Sequence, residues 1–460
     1  MKRILFSVVV LGALSACSFA PQLQTPPAPV PGMMGEASAP VAADFHLPQW
    51  HNYFTDPALQ TLIDKALVNN RDMRIAVARV EEARAQYGVQ SADRLPGLNA
   101  NGTSSQNRTP GVLTSSGNDV ISHRYDVNLG LLSYELDFWG RVKSLSDAAK
   151  ANYLATEEAQ QAFQLSLIAD VANAWYSARA LDEQTAYVRK TATAREENLR
   201  VTRRRLEAGT VSRLDQLQAE TALDTALADV TSYARRAEAA HTALNLLVGE
   251  TVVLPEAKGN ALTELPLAQA LPTGLPSTVL LGRPDVRQAE QNLIAAHANI
   301  GAARAAFFPK ITLVGSAGVA SNELGDLFGG NRQAWSFAPS ISLPIFDGGR
   351  NQANLDIAKA RKVIAVAQYE KTIQSAFADV VNVLSDQKWL SEQYVAQARL
   401  TEREAERMAL ADQRYQSGLV GYLDLLDAQR EYYAAQLALV EVKRAQLAAA
   451  AQAYKALGGG

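Results

Sequence analysis

Apolar residues recur along this chain with two different periods. Four segments alternate apolar and polar residues: Leu98–Ser105, where the alternation is weak, Tyr125–Leu131, Ile311–Val319 and Ser336–Ile345. A period of two with one apolar face predicts β-strands, and about nine to ten residues is the length at which a tilted strand crosses an outer membrane. A soluble sheet with one buried face has the same pattern, so both interpretations stay open. Pro339 inside the last segment predicts an edge or irregular position.

Between these segments the pattern is helical over unusual lengths. Neither Pro nor Gly interrupts Ser146–Glu207 or Asn354–Ser417, and both stretches are too polar to lie in lipid. At 1.5 Å per residue the first stretch is about 93 Å long, which predicts helices that cross an aqueous space. From Leu423 onward, two apolar seams with spacings of three and four residues predict a helix with neighbours on both sides, as in a sheet or cylinder of helices.

Two glycines mark sharp reversals between helices. The helical pattern stops at Gly209 and at Gly418, and each time it restarts within a few residues. Glycine adopts the left-handed conformation that ends a helix at little cost, so the chain is expected to double back at both places. The reversal within Arg414–Arg430 therefore has an equivalent 209 residues upstream.

Other matched positions extend this offset into an internal duplication. Gly140-Arg141 and Gly349-Arg350 are also 209 residues apart, whereas Leu95-Pro96 and Phe308-Pro309 are 213 residues apart. The four-residue change predicts a surface loop in this interval, because loops tolerate insertions. The expected organisation is a first repeat at 56–250, a linker at 251–282 and a second repeat at 283–460.

The N-terminus has the pattern of a processed leader. Lys2 and Arg3 precede an apolar stretch, Ile4–Leu14, that is too short to span a bilayer, and the chain's one cysteine, Cys17, follows small residues. This pattern resembles a bacterial lipobox and predicts a signal peptide at 1–16 and a lipidated tether at 17–55. The alternative is an ordinary secretory signal with an incidental cysteine. No later window is apolar for about 18 residues, so no transmembrane helix is expected.

Composition and motifs favour neither nucleic-acid binding nor catalysis. The formal net charge is −3, with acidic and basic residues interspersed, which gives no electrostatic case for a nucleic-acid partner. No Gly-rich loop has the position of a nucleotide-binding motif. The five histidines lack the spacing of metal ligands or of a catalytic triad: His46, His51, His123, His241 and His297. We expect His241 to be a packed structural residue, the protein not to be an enzyme, and no cofactor besides a covalent lipid on Cys17.

The predicted strands imply more than one copy of the chain. Two hairpins supply four strands, too few to close a barrel, and lipid tolerates no open sheet edge. Association of two, three or four chains would give 8, 12 or 16 strands, and the strand pattern does not choose among these numbers.

Several motifs together resemble the TolC-like outer-membrane efflux family, in particular its lipoprotein branch serving RND-type multidrug pumps. They are Leu271–Ser277, Arg283–Glu290, Ala303–Pro309 and the reversal within Arg414–Arg430. The resemblance implies a mixed membrane α+β fold: a homotrimer whose 12-stranded outer-membrane β-barrel continues into a 12-helix periplasmic α-barrel. An equatorial collar would be built from the linker and the terminal segments.

The resemblance also implies a function and partners. The chain would be the outer-membrane exit duct of a tripartite efflux pump in a Gram-negative bacterium, anchored by lipid and extending into the periplasm. Its partners would be a periplasmic adaptor (membrane fusion) protein, an inner-membrane RND-type pump and outer-membrane lipid. Two alternatives remain open: the exit duct of a type I protein-secretion system and a non-porous lipid-anchored coiled-coil spacer.

Asp424 and Asp427 are the leading candidates for a periplasmic gate. They are three residues apart at the start of a helix and so share one face, which would give rings of carboxylates in a trimer. Both match aspartate positions that the family places at its constriction. The alternative is that they are solvated acids that complement the helix dipole.

Further gate and docking residues follow from the resemblance alone. Tyr415 and Asp215 match a pair that ties the inner helical hairpin to the outer one. The TolC branch has an arginine where this chain has Val420, and Arg213 and Arg430 are the candidates to replace it. The tips would dock on the adaptor, unless they only end helices: Gly209, Thr210, Val211, Gly418, Leu419 and Val420. Because Gln218 takes the place of Asp427 in the first half, the second reversal is expected to be the one that moves.

Overall fold

The structure, a computed structural model, describes residues 23–34, 47–252, 261–267, 271–272 and 274–459. The predicted signal peptide, Cys17 and His46 lie outside these residues. The helices are α1 (Trp50–Tyr53), α2 (Pro57–Asn69), α3 (Arg71–Ala92), α4 (Arg141–Glu207), α5 (Arg213–Val248), α6 (Pro284–Ala305), α7 (Arg350–Gln416) and α8 (Tyr422–Ala456). The strands are β1 (Met33–Met34), β2 (Leu98–Thr109), β3 (Val120–Glu135), β4 (Leu275–Pro276), β5 (Lys310–Ser321) and β6 (Gln333–Ser342).

The duplication predicted from glycine spacing is visible in the helix boundaries. The order helix, strand, strand, long helix, helix occurs twice, as α3–β2–β3–α4–α5 and as α6–β5–β6–α7–α8. Helices α4 and α7 each have 67 residues. Their first residues, Arg141 and Arg350, differ by 209 in number, whereas those of α3 and α6, Arg71 and Pro284, differ by 213. Both offsets are those of the sequence motifs.

The extra residues of the first repeat do not lie in a loop as expected. The turns at 110–119 and 322–332 are almost equal in length, whereas β3 has 16 residues and β6 has 10. The register between β3 and β5 shifts between Leu131 and Tyr134, so β3 contains a bulge there. Strand β3 is thus six residues longer than β6, which more than accounts for the four-residue difference, and its bulge holds one of the extra residues.

The four long strands form one antiparallel sheet in the order β2-β3-β5-β6. Strand β6 is thus an edge strand, which explains why it accommodates Pro339, opposite Leu313 of β5. It ends at Ser342, three residues before the end of the predicted segment.

The two faces of the sheet differ in polarity, as the period of two predicts. One face exposes large apolar side chains on three strands: Leu98, Leu129, Trp335 and Phe337. On the other face, hydroxyl groups bond across strands, from Thr312 to Ser340 at 2.6 Å and from Ser316 to Ser336 at 2.8 Å. A sheet with one polar face and one exposed apolar face is suited to a boundary between water and lipid.

The chain folds into two compact units that do not coincide with the repeats. One unit includes Arg79–Glu157 and Gln288–Glu370 and contains the four-stranded sheet. The other includes Ala28–Ala78, Glu158–Arg287 and Lys371–Gly460 and contains both reversals. Each unit combines segments of both repeats, so the repeats are not separate domains.

Part of the predicted N-terminal tether is structured. Within 17–55, strand β1 pairs with β4 of the linker, Met33 opposite Pro276 and Met34 opposite Leu275. Tyr53 of α1 donates its hydroxyl to the carbonyl oxygen of Ala450 at 2.8 Å. In the part of the chain that the structure describes, no helix has an apolar stretch long enough to cross a membrane.

Candidate functional site

Both reversals have the same backbone geometry. Gly209 and Gly418 have φ of +71° and +70°, and the amides that follow bond back into the last helical turn. Thr210 N–H donates to Arg205 C=O at 2.9 Å, and Leu419 N–H donates to Arg414 C=O at 2.9 Å. This six-residue ring is the Schellman motif, which needs glycine at the left-handed position. The predicted reversals are therefore present, while their role in docking stays a prediction.

The two helices that leave the reversals begin differently. Ser212 caps α5 through a capping box: its hydroxyl accepts from Asp215 N–H at 3.2 Å, and the Asp215 carboxylate accepts from Ser212 N–H at 2.8 Å. The Ser212 hydroxyl also donates to that carboxylate and, with the N–H, lowers the pKa of Asp215. Helix α8 is preceded by Gly421, which has no side chain to cap it.

This difference separates two aspartates at equivalent positions. Asp215 and Asp424 are 209 residues apart, each third in its helix, and Ser212 corresponds to Gly421. The capping box occupies Asp215, whereas Asp424 is exposed and, among the described residues, its carboxylate forms no hydrogen bond or ion pair. Asp424 is thus a free charge at the start of α8.

Tyr415 and Asp215, the pair that the resemblance implies, form no hydrogen bond with each other among the described residues. The capping box uses the carboxylate of Asp215, and the Tyr415 ring contacts Arg205 and Tyr422. The guanidinium of Arg205 sits 4.9 Å from its centroid, and the Tyr422 ring packs at 5.8 Å with a 57° tilt. A cation–π contact and aromatic packing therefore hold Tyr415 in place.

A small apolar cluster joins the second reversal to the first helical hairpin. Tyr422, 5% exposed, packs with Leu199 of α4 and Ala219 of α5. The cluster also contacts three partly buried side chains: Leu223, Tyr415 and Leu426. Burial raises the pKa of Tyr422, whose hydroxyl has no hydrogen-bond partner among the described groups. Packing rather than polar bonding makes this connection.

Asp427 differs from Asp424 because two arginines bind it. Arg430, one turn along α8, donates to one carboxylate oxygen at 3.0 Å, and Arg407 of α7 donates to the other. Glu404 accepts from Arg407 at 3.1 Å, and Asp427 and Glu404 together raise the pKa of Arg407. Of the two arginines considered as replacements at Val420, Arg430 thus contacts a candidate gate aspartate.

Arg213 is the first residue of α5, and Arg407 was not identified as a candidate from the sequence. The charge of Arg213 acts on Glu220 of α5, so it is not part of this group. Arg407 could have been found by counting from the reversal: in an antiparallel hairpin, residues equally distant from the turn lie opposite each other, and 407 and 427 are both ten from Ser417.

A groove of about 680 Å³ between α7 and α8 is lined by two of the four candidate gate residues. Asp424, Asp427 and Val420 line it from the α8 side. Three arginines line it from the other side, and they share one face of α7: Arg403, Arg407 and Arg414. Tyr415 and Asp215 are not among its lining residues. The groove therefore presents charges of both signs.

The structure offers no other chemical centre in its described part. No group of His, Asp and Glu there is arranged to hold a metal ion. His241 Nε2 lies 2.9 Å from Asp182 Oδ1 and links α5 to α4, which fits the structural role expected from its position.

Comparison with known proteins identifies the family. The profile of the family described as "Outer membrane efflux protein" matches residues 62–250 and 275–459. "Probable efflux pump outer membrane protein TtgC" of Pseudomonas putida is 42% identical over 464 residues, covering 100% of this chain and 96% of that protein. "Outer membrane protein OprJ" of Pseudomonas aeruginosa is 40% identical, covering 99% of this chain and 95% of that protein.

Solved structures agree with these matches. The open-state MtrE outer membrane channel of Neisseria gonorrhoeae superimposes with a TM-score of 0.87 and 40% identity, over 96% of this chain and 98% of that chain. CusC gives a TM-score of 0.87 and 38% identity, over 96% of this chain and all of that chain. The fold that the resemblance implies is thus that of outer-membrane channels. The chain belongs to the outer membrane efflux protein family.

Proposed function

We propose that this protein is the outer-membrane exit duct of a tripartite efflux pump and passively conducts drugs or other toxic compounds out of the cell. The observation that carries the proposal is the sheet. It exposes an apolar face, pairs hydroxyl groups on the other, and has β2 and β6 as its two edges. Such a sheet is stable in lipid only when further strands close it.

Further copies of the same chain supply those strands. Three chains give twelve strands, wide enough to leave a lumen, and the polar faces line it. The 67-residue helices that leave the sheet provide length for a periplasmic tunnel of about 100 Å at 1.5 Å per residue. The duct has no energy source of its own, so the proposal includes a periplasmic adaptor and an inner-membrane RND-type pump.

The remaining proposed partners follow from the same scheme. The reversal tips at 209–211 and 418–420 dock on the adaptor, and a lipid on Cys17 holds the N-terminus in the outer membrane. No nucleic acid takes part. Relatives named as toluene, solvent and antibiotic efflux proteins support small toxic compounds as cargo.

Deletion and complementation test the proposal. Deleting the protein, with pump and adaptor intact, is expected to raise accumulation of a fluorescent efflux dye, and a plasmid copy is expected to restore it. Unchanged accumulation would contradict an efflux role. Loss of a secreted protein instead would indicate type I secretion. Absence of conductance in planar bilayers would indicate a non-porous spacer.

A further inference from the structure

The two aspartates at the proposed gate have different electrostatic surroundings. Both carboxylate oxygens of Asp427 accept hydrogen bonds from arginine, one from Arg407 and one from Arg430. Asp424 lies one turn closer to the reversal, is exposed, and has no such contact among the described residues. A carboxylate bound by two guanidinium groups attracts mobile cations far less than a free one does.

The contact with Arg407 is built into one hairpin. Arg407 and Asp427 are opposite each other on α7 and α8, so the contact needs no second copy of the chain. A single exposed ion pair contributes little to stability, but this one belongs to a network. Glu404 binds Arg407, and Glu431 accepts from Arg430 at 3.2 Å. The five linked side chains hold Asp427 in a fixed position.

We infer that Arg407, assisted by Arg430, removes Asp427 from the acidic ring, so that Asp424 alone attracts cations at the tunnel end. Arg407 is then the residue that sets the charge of the gate. This inference rests on the proposed function, because it needs several chains around a pore. It assigns the two aspartates separate roles: Asp424 faces the ions, and Asp427 holds α8 to α7.

Block of single-channel conductance by lanthanum ions tests these roles. Asp424→Asn is expected to raise the blocking concentration at least about tenfold, and Asp427→Asn to change it less than about twofold. Arg407→Ala is expected to lower the blocking concentration about fivefold, because it frees one carboxylate oxygen of Asp427 and leaves only Arg430 on the other. Adding Asp427→Asn to Arg407→Ala is expected to return the blocking concentration to the wild-type value. Arg407→Lys is expected to lower the blocking concentration by less than Arg407→Ala does.

Arg403→Ala is the matched control. Arg403 lines the same groove one turn away and, among the described residues, forms no ion pair, so its loss removes the same charge without releasing a carboxylate. If the blocking concentration falls for Arg407→Ala and not for Arg403→Ala, the inference is supported.

The outcomes separate the two proposals. If Arg403→Ala and Arg407→Ala increase the sensitivity to lanthanum equally, the role of Arg407 is overturned. The same holds if Asp424→Asn and Asp427→Asn reduce that sensitivity equally. Neither result contradicts the proposed duct. A wild-type protein that forms stable oligomers but conducts no ions overturns the proposed duct itself. Size-exclusion chromatography of every variant confirms that the same oligomer is compared.

Discussion

Tyr422 connects the second reversal to the first hairpin through its ring rather than its hydroxyl. The ring is buried against Leu199 and Ala219, while the hydroxyl is buried and has no hydrogen-bond partner in the described part of the chain. We expect Tyr422→Ala to weaken this contact by about 3–5 kcal/mol and to speed proteolysis at residues 417–421. Tyr422→Phe, which removes only the unpaired oxygen, is expected to be neutral or slightly stabilising. Equal protease sensitivity of the two variants would show that packing does not hold the reversal.

The capping box of Ser212 and Asp215 predicts a pH-dependent effect at one helix start. Because the pKa of Asp215 is lowered in the folded chain, its stabilising effect is present above the ordinary carboxyl pKa and is lost as pH falls through the lowered value. Ser212→Ala is expected to cost about 1 kcal/mol at pH 7 and less below about pH 4.

Hydrogen exchange of residues 213–217 measures this effect, with exchange times corrected for the intrinsic pH dependence. Ser212→Thr keeps a hydroxyl and serves as the control. A cost of Ser212→Ala that stays constant from pH 7 to pH 3.5 would show that the Asp215 carboxylate takes no part in the cap.

At the scale of the elements, the duplicated hairpins differ at the residue that precedes each second helix. Gly421 has φ −76° and ψ 166°, close to the values of Ser212, and an added Cβ would meet no atom within 4 Å. Gly421→Ser is therefore expected to recreate the capping box, with Asp424 in the place of Asp215. Slower hydrogen exchange in the first turn of α8 would report the new cap.

The same substitution is expected to weaken lanthanum block, because the cap draws the Asp424 carboxylate toward its own helix. Gly421→Ala supplies the Cβ without the hydroxyl and is expected to leave the block near the wild-type value. If Gly421→Ser and Gly421→Ala behave alike in both measurements, the freedom of Asp424 does not depend on the missing cap.

The elements were predictable because each follows from a local pattern. Alternation located the strands, and glycine followed by a restarted helical pattern located both reversals. The pairing of side chains was harder to predict from the sequence, because it depends on the register between helices. Asp215 was assigned to Tyr415, yet a serine three residues away binds it. Arg407 lies twenty residues from Asp427 in sequence, and only the position of the turn brings the two together.

For the whole molecule, the edges of the sheet decide how copies assemble. Asn101 of β2 and Ala334 of β6 lie in one row on the same face, linked through Asn128 and Gly318. Within one chain, three strand spacings separate them, about 14 Å, which is too far for a disulfide. In a closed trimer, β2 of one copy lies beside β6 of the next, and these edges are antiparallel.

Cysteines introduced at the two edges test this closure. Asn101→Cys is combined in turn with Cys at four positions of β6 on the same face, to allow for the unknown stagger between copies: Ala334, Ser336, Ala338 and Ser340. After oxidation we expect at least one combination to give covalent dimers and trimers on a denaturing gel, and no larger species. Each single-cysteine variant is the control and is expected to remain monomeric there, since Cys17 is the only native cysteine.

If the largest covalent species on the gel contains four chains, the assembly is a tetramer with sixteen strands and not a trimer. Monomers in all four combinations would mean that β2 and β6 do not meet between copies, and the duct would need another route to closure.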